Sequence, residues 1–352
     1  MTAYFFAYMM RYITFILSLL ALIACNSEPQ SQYSKLSGET MGTRYNITYA
    51  SDGIANEQLK ASVVQELETI NQLMSTYIPD SEINRFNGLA SDECFSFSDP
   101  TWLVLIAAKD IYHQTSGAFD ITVDPLIQRW GFDATEYTEK VPSAEEVQKL
   151  LTSVSTEQLS FNFAEQCISK SNPQVTINLS AIAKGYAVDQ LANIMEEFRI
   201  TNYLVEIGGE TKGEGVNIHG YPWRIAVEKP SEQLQQQQLL IIALSNTSIA
   251  TSGDYRNYFE VEGKRFSHTI DPATGYPITH NLTSVSVIHP SNMYADAYAT
   301  ALSVMGSERA KQFAHDHQLP VFLVTKEEDH LVSYKNELFS TLVIDPNQPV
   351  TE

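Results

Sequence analysis

From Tyr203 onward the chain is a succession of short runs rich in β-branched and aromatic residues: Tyr203–Ile207, Trp223–Glu228, Leu239–Leu244, Tyr255–Val261, Arg265–Ile270 and Thr283–Ile288. Runs this short, punctuated by Gly, Pro, Asn and Ser, predict strands that turn back on themselves, and Glu262-Gly263 between two of them predicts a tight hairpin. The glutamine run Gln235–Gln238 reads as a solvated loop. Upstream the period changes. Leu59, Val63, Leu67, Ile70 and Met74 recur at helical spacing and define one buried face. Further helices are predicted through Trp102–Thr115, stopped near Gly117, and over Val141–Leu151, opened by Pro142 and Ser143. A third is entered through Asn178–Ala183 and carries Tyr186, Leu191, Met195 and Phe198. Thr40–Ala50 alternates as one more strand, and folded structure is expected from Ser37. Helices interleaved with hairpins, without repeated parallel crossovers, give an α+β fold with largely antiparallel sheets.

The first segment has a different purpose. Ile13–Ala24 is apolar, follows Arg11 and precedes a polar run from Asn26 to Ser34. About a dozen residues is too short to span a bilayer comfortably and reads as a secretory h-region. Residues 1–24 are therefore expected to be a signal peptide. Leu22-Ile23-Ala24-Cys25 resembles a bacterial lipobox, which makes Cys25 the expected lipidation site, residues 25–36 a flexible tether and residues 37–345 the folded domain. A net charge of −20 argues against nucleic acid and against a polybasic membrane-binding surface. Cys94 and Cys167 are too few for a disulfide framework, and no essential disulfide is expected.

Chemistry concentrates in a few segments. In Ser291–Gly306, Asp296 and Thr300 lie four apart among alanines, so on a helix they share a face. A carboxylate and a hydroxyl with room around them suit a hard cation such as Mg²⁺, although such pairs also occur on ordinary solvated helices. Ser180 is the expected cap of the helix that follows it, where free backbone amides favour an anion, and Lys184 can reach a phosphate. Glu206-Ile207-Gly208-Gly209-Glu210 ends a strand in paired glycines that permit close approach of a ligand. It is not GxGxxG, and no GxxxxGK[ST] occurs, so Rossmann and P-loop readings have no motif behind them. Asp120 is either an acceptor for a heterocycle N–H or a turn aspartate. His268 is either a base near neutral pH or a satisfied structural group.

In order, Met41-Gly42-Thr43, Met74–Tyr77 with Asp80–Glu82 and Arg85–Asn87, Ser116–Asp120, Ser180–Tyr186, Glu206–Glu210, Trp223–Pro230, Ala250–Glu260, Ser267–Pro272 and Ala295–Gly306 resemble the bacterial FAD:protein FMN transferases, the ApbE family. The resemblance runs from about residue 38 to the C-terminal region. It implies a two-lobed fold with an FAD pocket between the lobes, FAD as substrate, and Mg²⁺ on the pyrophosphate held by Asp296, Thr300 and the carbonyl of Ala181. Met41, Ser75, Thr76, Tyr77, Asp120, Lys184 and Ile270 are expected to line the FAD site, with His268 and Asp296 in catalytic positions. The implied reaction moves FMN onto a Thr or Ser of an exported redox protein and releases AMP. Implied acceptors are subunits of sodium-translocating NADH:quinone oxidoreductase or related electron-transport complexes. The chain would then work lipid-anchored at the inner membrane, facing the periplasm. A Mg²⁺-dependent FAD pyrophosphatase and a non-catalytic flavin-binding lipoprotein are the alternatives.

Overall fold

A computed structural model describes residues 32–51, 56–90, 93–132, 141–229, 237–253, 258–261, 264–328 and 330–344. Residues 1–24 with Cys25, the Glu262-Gly263 turn and Gln235–Gln236 lie outside the described residues. The frame is an eight-stranded sheet of β1 (Tyr33–Thr40), β2 (Thr43–Ala50), β3 (Tyr203–Ile207), β4 (Glu210–Glu214), β5 (Thr247–Gly253), β6 (Leu282–His289), β7 (Val321–Glu327) and β8 (His330–Lys335). Strand order in the sheet follows chain order, and every neighbouring pair is antiparallel. Most helices and smaller sheets are insertions between these strands, and the short helix Glu337–Ser340 and the strand Val343–Ile344 follow the last of them.

Four helices build the core and position the cleft: α1 (Asn56–Met74), α2 (Asp99–Gln114), α3 (Ala183–Glu197) and α4 (Asn292–Met305). In α1 the buried residues are Leu59, Val63, Leu67, Ile70 and Met74, the same five that the spacing predicts. The short helix Ala144–Leu151 opens on a capping box between Ser143 and Glu146. Both faces of the sheet are covered, and β7 shows it residue by residue. Val321 and Leu323 join the core with α3 and α4, whereas Phe322 and Val324 face a second core with Trp223, Ile242 and Leu244. That second core is roofed by a three-stranded sheet of Trp223–Lys229, Gln237–Leu244 and Val343–Ile344. A third, smaller core gathers Leu126, Trp130, Val147, Val154 and Ile270, and the Trp130 indole donates to the Gly275 carbonyl at 2.8 Å. The fold is α+β with mostly antiparallel sheets.

Several expectations need correction. Tyr33–Leu36, expected in the tether, instead pair with Ile47–Ala50 as part of a strand, and residues 25–31 lie outside the described residues. Thr40–Ala50 is not one strand; Met41 and Gly42 form the turn between β1 and β2, with φ of 49° and 71°. The alternation changes phase at the turn: Thr40 and Thr43 close the hairpin as cross-strand partners and so share a face although they are three apart, which puts even-numbered residues inward before the turn and odd-numbered ones after it. Gln237 and Gln238 belong to a strand. Ser180 does not cap α3; the cap position is Ile182, without a side-chain bond. Cys94 and Cys167 are joined in a disulfide that ties the segment before Phe95–Ser96 to the strand Cys167–Lys170.

Candidate active site

A cleft of about 1290 Å³ opens along the C-terminal end of β3, the start of β4, the first turn of α3 and the face of α4 that carries Asp296, Thr300 and Val304. Its other walls are Ala118–Ile121, Ile225–Val227 and His268–Ile270. Of the residues expected in the site, Tyr77, Asp120, Ala181, Lys184, His268, Ile270, Asp296 and Thr300 all line it. Met41, Ser75 and Thr76 do not. Met41 packs against the main core, Ser75 accepts from the Tyr77 amide at 3.1 Å, and the Thr76 carbonyl accepts from Asn84 at 2.8 Å.

The floor depends on an unusually close helix contact. A Cβ on Gly185 would stand 2.3 Å from the Asn292 carbonyl oxygen and 2.8 Å from the Asp296 Cβ, so only glycine lets α3 and α4 meet here. Contact at that point brings Asp296, which is buried, to the first turn of α3. Its Oδ2 accepts from the Gly185 amide at 3.0 Å, and its Oδ1 lies 3.5 Å from Lys184 Nζ. Lys184 in turn donates to Glu210 Oε1 at 2.7 Å. The other Glu210 oxygen, Oε2, is buried and has no hydrogen-bond partner. Burial pushes the Glu210 carboxyl up to about 7; the Lys184 charge opposes this and the Asp296 charge adds to it. Lys184 is raised by the two carboxylates, which outweigh its own burial.

Asp120 is buried and accepts from the Thr122 amide and hydroxyl and the Thr156 amide and hydroxyl, at 2.7 to 3.2 Å. Burial raises its pKa against those bonds. Four donors already use its lone pairs, so its main work is to tie the Ala118–Ile121 wall to Thr156. Asp124 is a second organiser. It accepts from Gln128, Thr176 and Asn178, and Asn178 then accepts from the Ser180 amide, which fixes the loop that carries Ala181. His268 is half-buried, with the Phe132 ring edge-on at 6.5 Å.

The ApbE family profile matches residues 41–323. The chain belongs to the ApbE family. Its relatives include the FAD:protein FMN transferases of Vibrio cholerae, 42% identical over 94% of this chain and 98% of that one, and of Escherichia coli, 35% identical over 92% and 95%. Among solved structures, the flavin transferase ApbE of Vibrio cholerae superposes with a TM-score of 0.82 at 41% identity, covering 89% of this chain and 99% of that one. The apo flavinyl transferase ApbE of Pseudomonas stutzeri gives 0.81 at 36% identity, covering 89% and 97%. Membership explains why weak motifs far apart in the sequence meet in one cleft. Glu210 is the cleft residue that sequence reasoning missed as a participant. Its signal was an acidic side chain at an inward position, paired across the sheet with Ile207.

Proposed function

We propose that the chain is a Mg²⁺-dependent FAD:protein FMN transferase, which cleaves the FAD pyrophosphate, joins FMN to a Thr or Ser hydroxyl of an acceptor protein through a phosphodiester bond, and releases AMP. The observation that carries this reading is the meeting of Asp296, Thr300, Ala181 and Lys184 on one wall of a cleft large enough for a dinucleotide. The names of the relatives support it.

The donor set fits Mg²⁺. Among the described residues no three His, Cys, Asp or Glu side chains gather as ligands. Asp296, Thr300 and Ala181 offer one carboxylate, one hydroxyl and one backbone carbonyl, all hard oxygens, which leaves positions for water and phosphate. Asp296, Thr300 and the Ala181 carbonyl would hold the ion. Bound there, Mg²⁺ would supply neutralisation of charge on the pyrophosphate oxygens. Lys184 gives the phosphates a positive charge from the first turn of α3. Gly208 and Gly209, at φ of 60° and 110°, let the substrate lie against the backbone. His268 takes the proton of the acceptor hydroxyl on a ring nitrogen as that oxygen attacks the FMN phosphorus. The walls must keep water off that phosphorus, because hydrolysis would give free FMN and AMP instead.

Export, lipidation at Cys25 and a periplasm-facing place on the inner membrane belong to the same proposal, as do exported acceptors of the sodium-translocating NADH:quinone oxidoreductase type. The Cys94–Cys167 disulfide supports a compartment outside the cytosol, where such bonds persist. The experiment mixes the protein with FAD, Mg²⁺ and an exported flavoprotein acceptor domain and follows acceptor mass and AMP. An acceptor gaining one FMN in step with AMP, both lost on chelation, is the expected result. AMP with free FMN and an unmodified acceptor would mean a pyrophosphatase, and retained, unreacted FAD a carrier.

A further inference from the structure

Asp296 Oδ2 accepts from the Gly185 amide, so Oδ1 is the less engaged oxygen for a divalent cation, and Lys184 Nζ lies 3.5 Å from it. An ammonium and a divalent metal ion at the same oxygen repel each other, so each weakens the other's hold on it. Glu210 holds Lys184 at 2.7 Å through Oε1 and leaves Oε2 buried without a partner. A buried carboxylate oxygen left unpaired is costly and therefore uncommon. Lysine has three N–H donors. If Lys184 gives up Asp296, the donor it frees has an acceptor waiting on Glu210 Oε2, and no buried donor is stranded.

We propose that Lys184 is the cation a divalent metal displaces from Asp296, and that Glu210 is the positioning residue that receives it. Metal entry then turns Lys184 from a counter-ion of Asp296 into a charge free to meet a phosphate. This rests on the metal role of Asp296 proposed above.

The test is calorimetric titration of Mg²⁺ into the full protein without FAD, for wild type, Lys184→Met, Glu210→Gln and the double variant. We expect Lys184→Met to tighten Mg²⁺ binding about tenfold and Glu210→Gln to weaken it about tenfold. In the Lys184→Met background, Glu210→Gln should change affinity by less than about twofold, since Glu210 acts through the lysine. Equal effects of Glu210→Gln in both backgrounds would reduce Glu210 to a general field and overturn the proposal, as would unchanged affinity in Lys184→Met. Wild type that binds no Mg²⁺ would remove the metal reading itself. Should a variant fail to fold, the wild-type protein decides: reductive methylation of Lys184, followed by peptide mass analysis, should change in rate on adding Mg²⁺ alone, and an unchanged rate overturns the exchange.

Discussion

Asp189 and Asp296 cap each other's helices. Asp189, on α3, accepts from the Asn292 and Met293 amides at the start of α4 at 3.0 and 3.1 Å. Asp296, on α4, accepts from Gly185 in the first turn of α3 at 3.0 Å. Neither helix has a capping side chain of its own. The free amides of a first turn need acceptors, and here each helix supplies the other's. Asp189 also pairs with Lys212 of β4 and accepts from Ser291, so the sheet, α3 and α4 meet at one carboxylate. This arrangement fixes Asp296 relative to Lys184.

Asp296→Asn keeps an oxygen for Gly185 and removes the charge. Metal-dependent turnover of FAD should fall by about 10²-fold or more, the scale on which a lost electrostatic stabiliser of a transition state acts, while the thermal midpoint moves little. Steady-state AMP release and a melting curve on the same sample check this. Turnover within a few-fold of wild type would take Asp296 out of the metal site.

Gly185→Ala should damage both packing and site. The added methyl meets the Asn292 carbonyl oxygen, which is backbone and has no rotamer to escape into. About 1 to 3 kcal/mol of stability should be lost, the usual cost of overpacking, and Mg²⁺ affinity should fall with it. Chemical denaturation and calorimetry measure the two losses.

His268→Ala should slow FMN transfer by about 10²-fold if the ring is the base, with FAD affinity nearly unchanged. Transfer to an acceptor domain under single turnover, paired with equilibrium FAD binding, separates chemistry from binding. A near-normal rate would leave His268 as a wall of the cleft.

The site is partly legible in the sequence. Lys184, Asp296 and Thr300 stand out because charge and hydroxyl sit at helical spacing among small residues, a pattern carried by neighbours along the chain. Glu210 reads only as the end of a glycine pair, since its partner Lys184 lies on an insertion that precedes β3. The mutual caps of Asp189 and Asp296 join residues from two distant segments, and each helix start, read alone, simply lacks a cap. Ser180 fits that task on local grounds and instead gives its amide to Asn178. In the fold, α1 is legible because burial and period coincide, whereas β4 and β5, made largely of Thr, Ser, Gly and Lys, carry too little apolar alternation to be read as central strands.

Glu210 gives a dependence on pH. Its carboxyl is raised in the folded state from 4.5 to about 7, chiefly by burial, so the folded protein binds that proton more tightly than the unfolded chain. Its contribution to stability is therefore complete below the unfolded value and is lost as pH rises through about 7. Glutamine does not titrate. The stability of Glu210→Gln relative to wild type should climb between pH 4.5 and about 7 and level off above, as read from denaturant midpoints across that range. A flat difference would mean that the Lys184 pair keeps Glu210 ionised throughout.

Reducing the Cys94–Cys167 bond opens a loop with a sequence separation of 73 residues. By chain entropy alone this should cost about 4 kcal/mol. Thermal midpoints with and without reductant, and with Cys94→Ser, check it.

Strand order that follows chain order has a kinetic consequence. The hairpins β1–β2, β3–β4 and β7–β8 need only short turns and can close within microseconds, but β2 must also find β3 across everything between Ala50 and Tyr203. Loop-closure entropy grows only with the logarithm of length, so a long insertion there weighs little on final stability and falls mainly on the time taken to fold. The cleft is drawn from that insertion and from both halves of the sheet. It can therefore exist only after this slowest pairing is complete, and the capacity to bind a dinucleotide should be the last property the folding chain acquires.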